Sequence, residues 1–217
     1  MDILSVIVAH DGKMDVLSRV IDSAFKLRGV KSLYLFAFDT EKKCLKMAED
    51  RGIKTCAYPR PKIDMGKITC SYNNLLTGMW EGELMHLSWL RNKTLEYTVN
   101  NGYDYLYSID ADILVPEDAI ERLLKLDCDI ALGWHFHKRL PVPAVDWVDS
   151  NREEIDQYMI EKRVVDGING TCGGILLSKR VCENVKFDLY NGLLAEDGVF
   201  YRKARNMGYS MKIDLGL

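Results

Sequence analysis

The sequence lacks several features that would place it in a broad class at once. It has no block of like charges, because 29 basic and 32 acidic residues are interspersed and give a formal net charge of -3. Nucleic acid is therefore not predicted as a partner. The apolar run from Ile3 to Ala9 is too short to span a bilayer and is not a secretory leader. The sequence thus predicts a cytoplasmic protein without a transmembrane segment.

Cysteine pairs at metal-binding spacing are also missing. The six cysteines include no C-x-x-C pair, and a chain of 217 residues with 47% hydrophobic content can bury a core without disulfides. We therefore interpret them as reduced thiols of the interior. They are Cys44, Cys56, Cys70, Cys128, Cys172 and Cys182. The same length predicts a single domain.

The first half of the sequence alternates between strand and helix patterns. Short apolar runs typical of buried strands cover residues 5–9, 33–38, 53–57, 103–109 and 130–133. Helical periodicity covers 16–24, 41–50, 84–99 and a segment that begins at Pro116. This order predicts an α/β fold with a mainly parallel sheet, helices on both faces, and a ligand outside the carboxyl ends of the strands.

The alternation is interrupted in two places. Residues 58–80 mix proline, glycine and polar residues without a steady period, which predicts a long loop. Residues 134–150 are rich in proline and aromatics, and a polar helix is predicted to follow to about residue 162. Strands at 175–177 and 211–213 and a helix beginning near Glu196 complete the pattern, with a small antiparallel portion in this half.

Two D-x-D pairs occur, and their positions differ. Asp110 and Asp112 follow a predicted buried strand, where carboxylates can provide hard oxygen ligands to Mg²⁺ or Mn²⁺. A turn with a helix cap before Pro116 is the alternative for this pair. Asp127 and Asp129 lie between a helix end and a strand start, at the opposite sheet edge, so we interpret them as a solvated turn.

A second acidic pair begins the helix near residue 196. Glu196 and Asp197 lie in its first turn, where acidic side chains stabilise a helix through its dipole. A carboxylate at this point could also accept the proton of a sugar hydroxyl that attacks an anomeric carbon. We expect the helix N-terminus to keep such a carboxylate ionised.

Several segments in order resemble the GT-A glycosyltransferases, in particular the family-2-like and Anp1-like enzymes that use nucleotide-diphosphate sugars. They are "SVIVAHDG", "LYLFAFDT", Arg91-Asn92, "YLYSIDADILVPEDAI", "NGTCGGILLSKRV" and "AEDGVFYRKARNMGY". The resemblance covers nearly the whole chain. It implies one GT-A domain over 1–217, with a nucleotide-binding half of about 1–112 and an acceptor-binding half of about 113–217.

The resemblance also implies roles for particular residues. Ala9, His10, Asp11 and Asp39 would line the nucleoside pocket, and Arg91 would lie near the diphosphate. Asp110, Ala111 and Asp112 would contact the nucleotide sugar, the two aspartates holding Mn²⁺ or Mg²⁺. Gly173 and Gly174 would border the sugar and the acceptor. Asp197 would be the catalytic base, with Glu196 beside it.

The activity implied is metal-dependent transfer of a hexose from a UDP-sugar, or a GDP-sugar, to a hydroxyl of a glycan, glycoprotein or glycolipid, with inversion. Relatives often carry a metal-binding histidine shortly after the strand that matches 211–213, and this sequence ends at Leu217 without one. A longer natural chain, water ligands, weak metal binding, and substitution by His135 or His137 stay open as explanations.

Two other functions stay open. A GT-A-like module that binds a nucleotide or glycan without turnover would need no complete metal site. A sugar-phosphate nucleotidyltransferase would need a glycine-rich, basic loop directly after the first strand to hold a triphosphate. The segment "AHDGKMD" offers one glycine and one lysine there.

Overall fold

The computed structural model describes residues 1–62, 81–133, 146–147, 164–169, 173–188 and 196–216. The strands are β1 Ile3–Val8, β2 Ser32–Phe38, β3 Lys54–Tyr58, β4 Tyr105–Asp110, β5 Ile130–Gly133, β6 Asp146–Trp147, β7 Val164–Asn169, β8 Ile175–Ser178 and β9 Met211–Asp214. The helices are α1 Met14–Ala24, α2 Lys42–Asp50, α3 Glu81–Asn100, α4 Ala119–Leu124, α5 Lys179–Asn184 and α6 Glu196–Asn206. A 3-10 turn, Asp11–Lys13, precedes α1.

The strands form one sheet in the order β3-β2-β1-β4-β8-β5-β9-β7-β6. β1 pairs in parallel with β2 and with β4, β2 pairs in parallel with β3, and β5 pairs in parallel with β9. β8 runs antiparallel to both of its neighbours, and β7 runs antiparallel to β9 and β6. The predicted α/β architecture, with its antiparallel portion in the C-terminal half, is confirmed.

Helices cover both faces of the sheet, because side chains of a strand alternate between its faces. On β1, Val6 belongs to a buried cluster with Leu95 of α3, and α5 and α6 pack in the same layer. The next residue, Ile7, belongs to a cluster with Leu17 of α1, and α2 and α4 pack there. The fully apolar β1 thus results from burial on two sides.

The strands predicted in the first half lie within two residues of the observed ones, whereas three elements were missed. α5 follows β8 without a loop and has only six residues, which is too short for a clear helical period. β6 and β7 lie at the sheet edge, and the sequence of β7, VVDGIN, has little apolar alternation. The long loop, from residue 63, and the polar helix predicted up to residue 162 lie outside the described residues.

Two composition-based predictions can be compared with the structure. Of the cysteines in the described segments, Cys44 and Cys182 are buried, Cys56 and Cys128 are partly buried, and all four are free. Cys70 and Cys172 lie outside those segments. No helix in the described segments combines the length and the apolar character of a membrane span.

The interpretation of the second D-x-D as a solvated turn is wrong for one of its residues. Asp127 is exposed and adopts a turn conformation with φ 46°. Asp129 is buried, pairs with the Arg180 guanidinium, and accepts hydrogen bonds from the backbone N–H and the hydroxyl of Ser210 at 2.9 and 2.8 Å. The Arg180 hydrogen bond holds the pKa of Asp129 down at about 2. The carboxylate therefore joins α5 to the start of β9.

We predict that Asp129→Asn lowers the free energy of unfolding by about 1–3 kcal/mol at pH 7, because charge-assisted hydrogen bonds to Arg180 are lost. A lowered carboxyl pKa stabilises the fold above the unfolded value of 3.8, and this contribution disappears as pH falls towards about 2. Urea unfolding from pH 7 to pH 2 should therefore show the difference between wild type and variant shrinking below pH 4.

Asp127→Asn is the matched control for this experiment. It makes the same change two residues away at an exposed position, and asparagine tolerates the observed backbone conformation. Its unfolding free energy should stay within about 0.5 kcal/mol of wild type. Equal effects of the two substitutions would contradict the assigned role of Asp129.

Candidate functional site

The candidate site lies at the carboxyl end of β4, near the middle of the sheet. β1 runs parallel to β4 with Val8 opposite Asp110, so the turns that follow these strands are neighbours. β8 runs the other way, and its start therefore lies at the same edge, with Gly174 donating a hydrogen bond to the Ser108 carbonyl at 3.0 Å. Three distant segments of the chain meet here.

A buried arginine binds the first aspartate of the D-x-D. Arg91 lies on α3 and is 4% exposed. Its Nη2 donates to both carboxylate oxygens of Asp110, at 3.0 and 3.3 Å. Its Nη1 lies 3.5 Å from Oε1 of Glu196, the first residue of α6. The guanidinium thus connects α3, β4 and α6 through two carboxylates.

Asn92 and Phe187 hold the Arg91 guanidinium in position. Asn92 donates its side-chain N–H to the Phe187 carbonyl and accepts the Phe187 backbone N–H, both at 2.9 Å. The Phe187 ring then lies 5.6 Å from the Arg91 guanidinium carbon and stacks on Phe200 of α6 at 4.2 Å between ring centroids. Arg91-Asn92 therefore acts as one unit, in which Asn92 places the aromatic support for Arg91.

The acidic pair of α6 is much less solvated than the sequence suggested. Burial raises the pKa of Glu196 to about 7, although the charge of Arg91 opposes the shift. Burial also raises the pKa of Asp197, again against Arg91, while its Oδ1 accepts the Gly198 backbone N–H at 2.7 Å. For Glu196, desolvation outweighs the helix dipole, so the expectation that the helix N-terminus keeps the carboxylate ionised is corrected for this residue.

The second aspartate of the D-x-D also faces a cation of the chain. Asp112 Oδ2 lies 2.7 Å from the Lys13 ammonium. Lys13 ends the 3-10 turn after β1, and this turn is closed by His10, whose carbonyl accepts the Lys13 N–H and whose Nδ1 accepts the Gly12 N–H. A Cβ at Gly12 would lie 2.9 Å from the His10 ring, so a side chain at this position would require the ring to move.

Asp11 is one of the four residues predicted to line the nucleoside pocket, and in the structure its carboxylate binds the start of α2. Its carboxylate accepts the backbone N–H groups of Cys44 and Lys43, at 2.9 and 3.3 Å, and so caps α2. Glu41 in turn accepts the Asp11 N–H at 2.7 Å. The carboxylate of Asp11 is therefore used by the fold.

The other three residues predicted for the nucleoside pocket, Ala9, His10 and Asp39, directly follow β1 and β2. Ala9 is buried and donates its N–H to the Phe36 carbonyl at 3.0 Å. His10 is exposed on the turn, and partial desolvation lowers its pKa. Asp39 is part-buried, its backbone N–H donates to Tyr58, and its carboxylate has no hydrogen bond or ion pair within the described segments.

Gly173 and Gly174 lie against the D-x-D. A Cβ at Gly173 would be 2.7 Å from Ile113 Cγ1 and 3.5 Å from Asp110 Oδ2, and Gly174 has φ 78°, which glycine adopts readily. Ala111, between the two aspartates, is buried in the core. His135 and His137 lie outside the described residues, so the structure does not test them as metal ligands.

The donor set at the end of β4 suits a divalent cation chemically but is only part of a metal site. Asp110 and Asp112 offer carboxylate oxygens, the ligands that Mg²⁺ and Mn²⁺ prefer. No group of three possible ligands surrounds one point in the described segments. Asp112 is the better placed of the two for a metal, because its partner Lys13 is partly exposed whereas the partner of Asp110, Arg91, is buried.

Sequence reasoning missed Lys13 as a site residue. The relevant signal is its position just after the carboxyl end of a buried strand, and it becomes informative only once β1 and β4 are known to be neighbours. Asn92 was noted only as part of a motif, and its role in placing Phe187 requires the fold.

Comparisons with known proteins give matches in structure only. No family model matches the chain, and no curated protein matches its sequence. S. aureus TarS 1–349 in complex with UDP-GlcNAc matches with a TM-score of 0.58 and 10% identity over 98% of this chain and 56% of that one. Glucosyl-3-phosphoglycerate synthase from Mycobacterium tuberculosis, in complex with Mn²⁺ and UDP, matches with 0.57 and 14% over 95% and 66%.

A nucleotidyltransferase is also among the similar structures. CMP:2-keto-3-deoxy-manno-octonic acid synthetase complexed with CTP matches with a TM-score of 0.56 and 11% identity over 98% of this chain and 89% of that one. The predicted GT-A, Rossmann-like fold is confirmed. The chain spans little more than half of the TarS fragment, so these likenesses concern the fold alone.

We predict that the stability of the wild type relative to Glu196→Gln falls as pH rises from about 4.5 to about 7. In this window the native Glu196 carboxyl keeps a proton that the unfolded chain has released, because its pKa is raised to about 7. The relative change should be on the order of 2 kcal/mol. Thermal unfolding of both proteins from pH 5 to pH 8 measures it.

Glu183→Gln is the control, since Glu183 is exposed and forms only a long pair with Lys179, at 4.0 Å. The stability of Glu183→Gln should change with pH in the same way as that of the wild type. A Glu196→Gln pH profile that also runs parallel to that of the wild type would show that the buried carboxyl titrates normally and would contradict the prediction.

Proposed function

We propose that this chain is a glycosyltransferase that moves a sugar from a nucleotide-diphosphate donor to a hydroxyl acceptor. The observation that carries the proposal is the convergence of Arg91, Asp110, Glu196 and Asp197, from three separate elements, at the carboxyl end of β4. The GT-A fold supports it, as does the presence of UDP-GlcNAc or UDP in the complexes of two structural neighbours.

The donor's nucleoside is proposed to bind beside β1 and β2. Ala9 and His10 follow β1, and Asp39 follows β2 with a carboxylate that can accept hydrogen bonds from a base or a ribose. We favour UDP over GDP as the nucleotide. Asp11 is proposed to support this pocket indirectly, because its carboxylate holds the N-terminus of α2.

The donor's diphosphate is proposed to lie over Asp112 and Asp110. Among the described residues, the carboxylates of Asp110, Asp112, Glu196 and Asp197 outnumber the cations that pair with them, Arg91 and Lys13. An anionic diphosphate beside such a surface requires further positive charge. Asp112, with Asp110, would hold Mn²⁺ or Mg²⁺, which would offset the charge of the leaving diphosphate.

Asp197 is proposed as the catalytic base. In the reaction the acceptor oxygen forms a bond to the anomeric carbon, the bond from that carbon to the diphosphate oxygen breaks, and the hydroxyl proton moves to Asp197. A pKa raised by burial makes this carboxylate a stronger base than an exposed aspartate. Attack from the face opposite the leaving group would invert the anomeric configuration.

The remaining roles concern the second half of the chain. Gly173 and Gly174 are proposed to border the sugar, since a Cβ at Gly173 would lie only 3.5 Å from Asp110 Oδ2. We propose that residues 113–217 bind the acceptor, which would be a glycan, glycoprotein or glycolipid, and that residues 1–112 bind the nucleotide. A cytoplasmic location stays a prediction.

We predict that the chain binds UDP more tightly in the presence of Mn²⁺. The factor by which Mn²⁺ increases the UDP affinity should be at least about tenfold smaller in Asp112→Asn. A tenfold loss corresponds to about 1.4 kcal/mol, which is modest for a lost charged ligand. Calorimetry with UDP and with GDP, each with and without Mn²⁺, measures the effect.

The second D-x-D provides the control for this titration. Asp127→Asn changes an exposed aspartate at the far edge of the sheet and should leave nucleotide binding unchanged. Absence of binding by either nucleotide would sink the glycosyltransferase proposal. Tighter binding of CTP or another triphosphate than of UDP would favour a nucleotidyltransferase.

A separate prediction concerns turnover. Asp197→Asn should lower the rate of donor consumption by about 10²–10⁴-fold, with UDP affinity unchanged within about threefold because Asp197 acts on the acceptor. Release of UDP from a panel of UDP-sugars with mixed hydroxyl acceptors measures turnover. Wild-type binding of UDP without any release would instead favour a non-catalytic module.

A further inference from the structure

The two cations beside the D-x-D differ in how firmly they are held. The Arg91 side chain is 5% exposed, donates twice to Asp110 and rests on Phe187. The Lys13 side chain is 36% exposed and reaches Asp112 from a turn. A lysine side chain has four rotatable carbons and a compact ammonium, so it can leave its partner without disturbing the backbone. Lys13 is therefore the exchangeable cation of the pair.

The backbone that carries Lys13 is nevertheless fixed beside Asp112. The register of β1 against β4 places the turn after Val8 next to the D-x-D, and His10 closes that turn through two hydrogen bonds. The turn thus keeps the backbone of Lys13 beside Asp112 when the ammonium leaves the carboxylate. The nearest new partners of the ammonium would be oxygen atoms of a ligand bound over the two aspartates.

A divalent cation and the Lys13 ammonium would compete for the same carboxylate. The ammonium lies 2.7 Å from Asp112 Oδ2, whereas Mg²⁺ binds a carboxylate oxygen at about 2.1 Å. Two positive charges at one oxygen repel each other, so the divalent cation must displace the ammonium or share the carboxylate at a cost in affinity. A bound diphosphate changes this balance, because it offers the displaced ammonium oxygen acceptors of its own.

From this geometry we propose that Lys13 and a divalent cation are alternative partners of Asp112, and that the donor's diphosphate accepts the ammonium when the metal displaces it. The inference rests on the proposed donor site. Lys13 then acts as a positioning residue that keeps metal binding weak until the nucleotide is present. It makes metal and nucleotide binding mutually dependent, which is reciprocal by thermodynamic linkage.

Lys13→Met tests this, because methionine keeps an unbranched chain and removes the charge. Without nucleotide, we expect its Mn²⁺ affinity, measured from the EPR signal of free Mn²⁺, to be about tenfold higher than that of the wild type. At saturating Mn²⁺, its affinity for UDP should be about tenfold lower, because one cation at the diphosphate is gone. Lys13→Arg, which keeps the charge, should leave Mn²⁺ affinity without nucleotide close to the wild-type value.

Lys46→Met is the matched control, since Lys46 forms an exposed Lys–Asp pair with Asp50 at 3.3 Å on α2. It should change neither affinity, and all variants should unfold at wild-type temperatures. Unchanged Mn²⁺ affinity in Lys13→Met without nucleotide would overturn the proposal. If the wild type binds no UDP, the donor site fails, yet a tenfold gain in Mn²⁺ affinity would still show that Lys13 competes for Asp112.

Discussion

The arrangement at the end of β4 depends on one buried cation. Arg91 is almost inaccessible to solvent, and a guanidinium in that position is stable only when carboxylates neutralise it. Asp110 of β4 pairs with it, and the buried Glu196 carboxyl contacts it from α6, so elements that are far apart in the chain meet at this cation. Because the Asn92 hydrogen bonds to Phe187 fix the ring under the guanidinium, the same helix supplies both the charge and its support.

This charge arrangement explains how two acidic residues side by side acquire different surroundings. Glu196 contacts Arg91 directly and is buried, whereas Asp197 is partly exposed and bonds to the Gly198 amide. For both carboxyls desolvation raises the pKa and Arg91 opposes the rise. The Arg91 guanidinium therefore lowers the pKa of both carboxyls, whereas the burial of the start of α6 raises it.

The sequence predicted the strands and helices whose local pattern reflects burial. It did not predict elements and residue roles that depend on strand pairing or on contacts between distant parts of the chain. β1 and β4 are apolar because both faces are covered, so their runs were recognisable. β7 is stabilised by pairing with β9, and α5 is too short for a period. Asp129 appeared to be in a solvated turn because Arg180 lies 51 residues away. The cap of Asp11 on α2 likewise depends on neighbouring strands and has no local signal, while the pocket assignment of Asp11 stays a prediction.

The reversal of β8 has a consequence for how such a site can diversify. In an all-parallel sheet, only the segments that follow strands reach the ligand edge. Here a segment that precedes a strand reaches it too, because Gly173 and Gly174 enter β8 beside Asp110. The loop after β4 and the two glycines before β8 thus meet at the same edge of the sheet. Natural variation or directed evolution can remodel one of them while the sheet, and the arginine beneath it, stay unchanged.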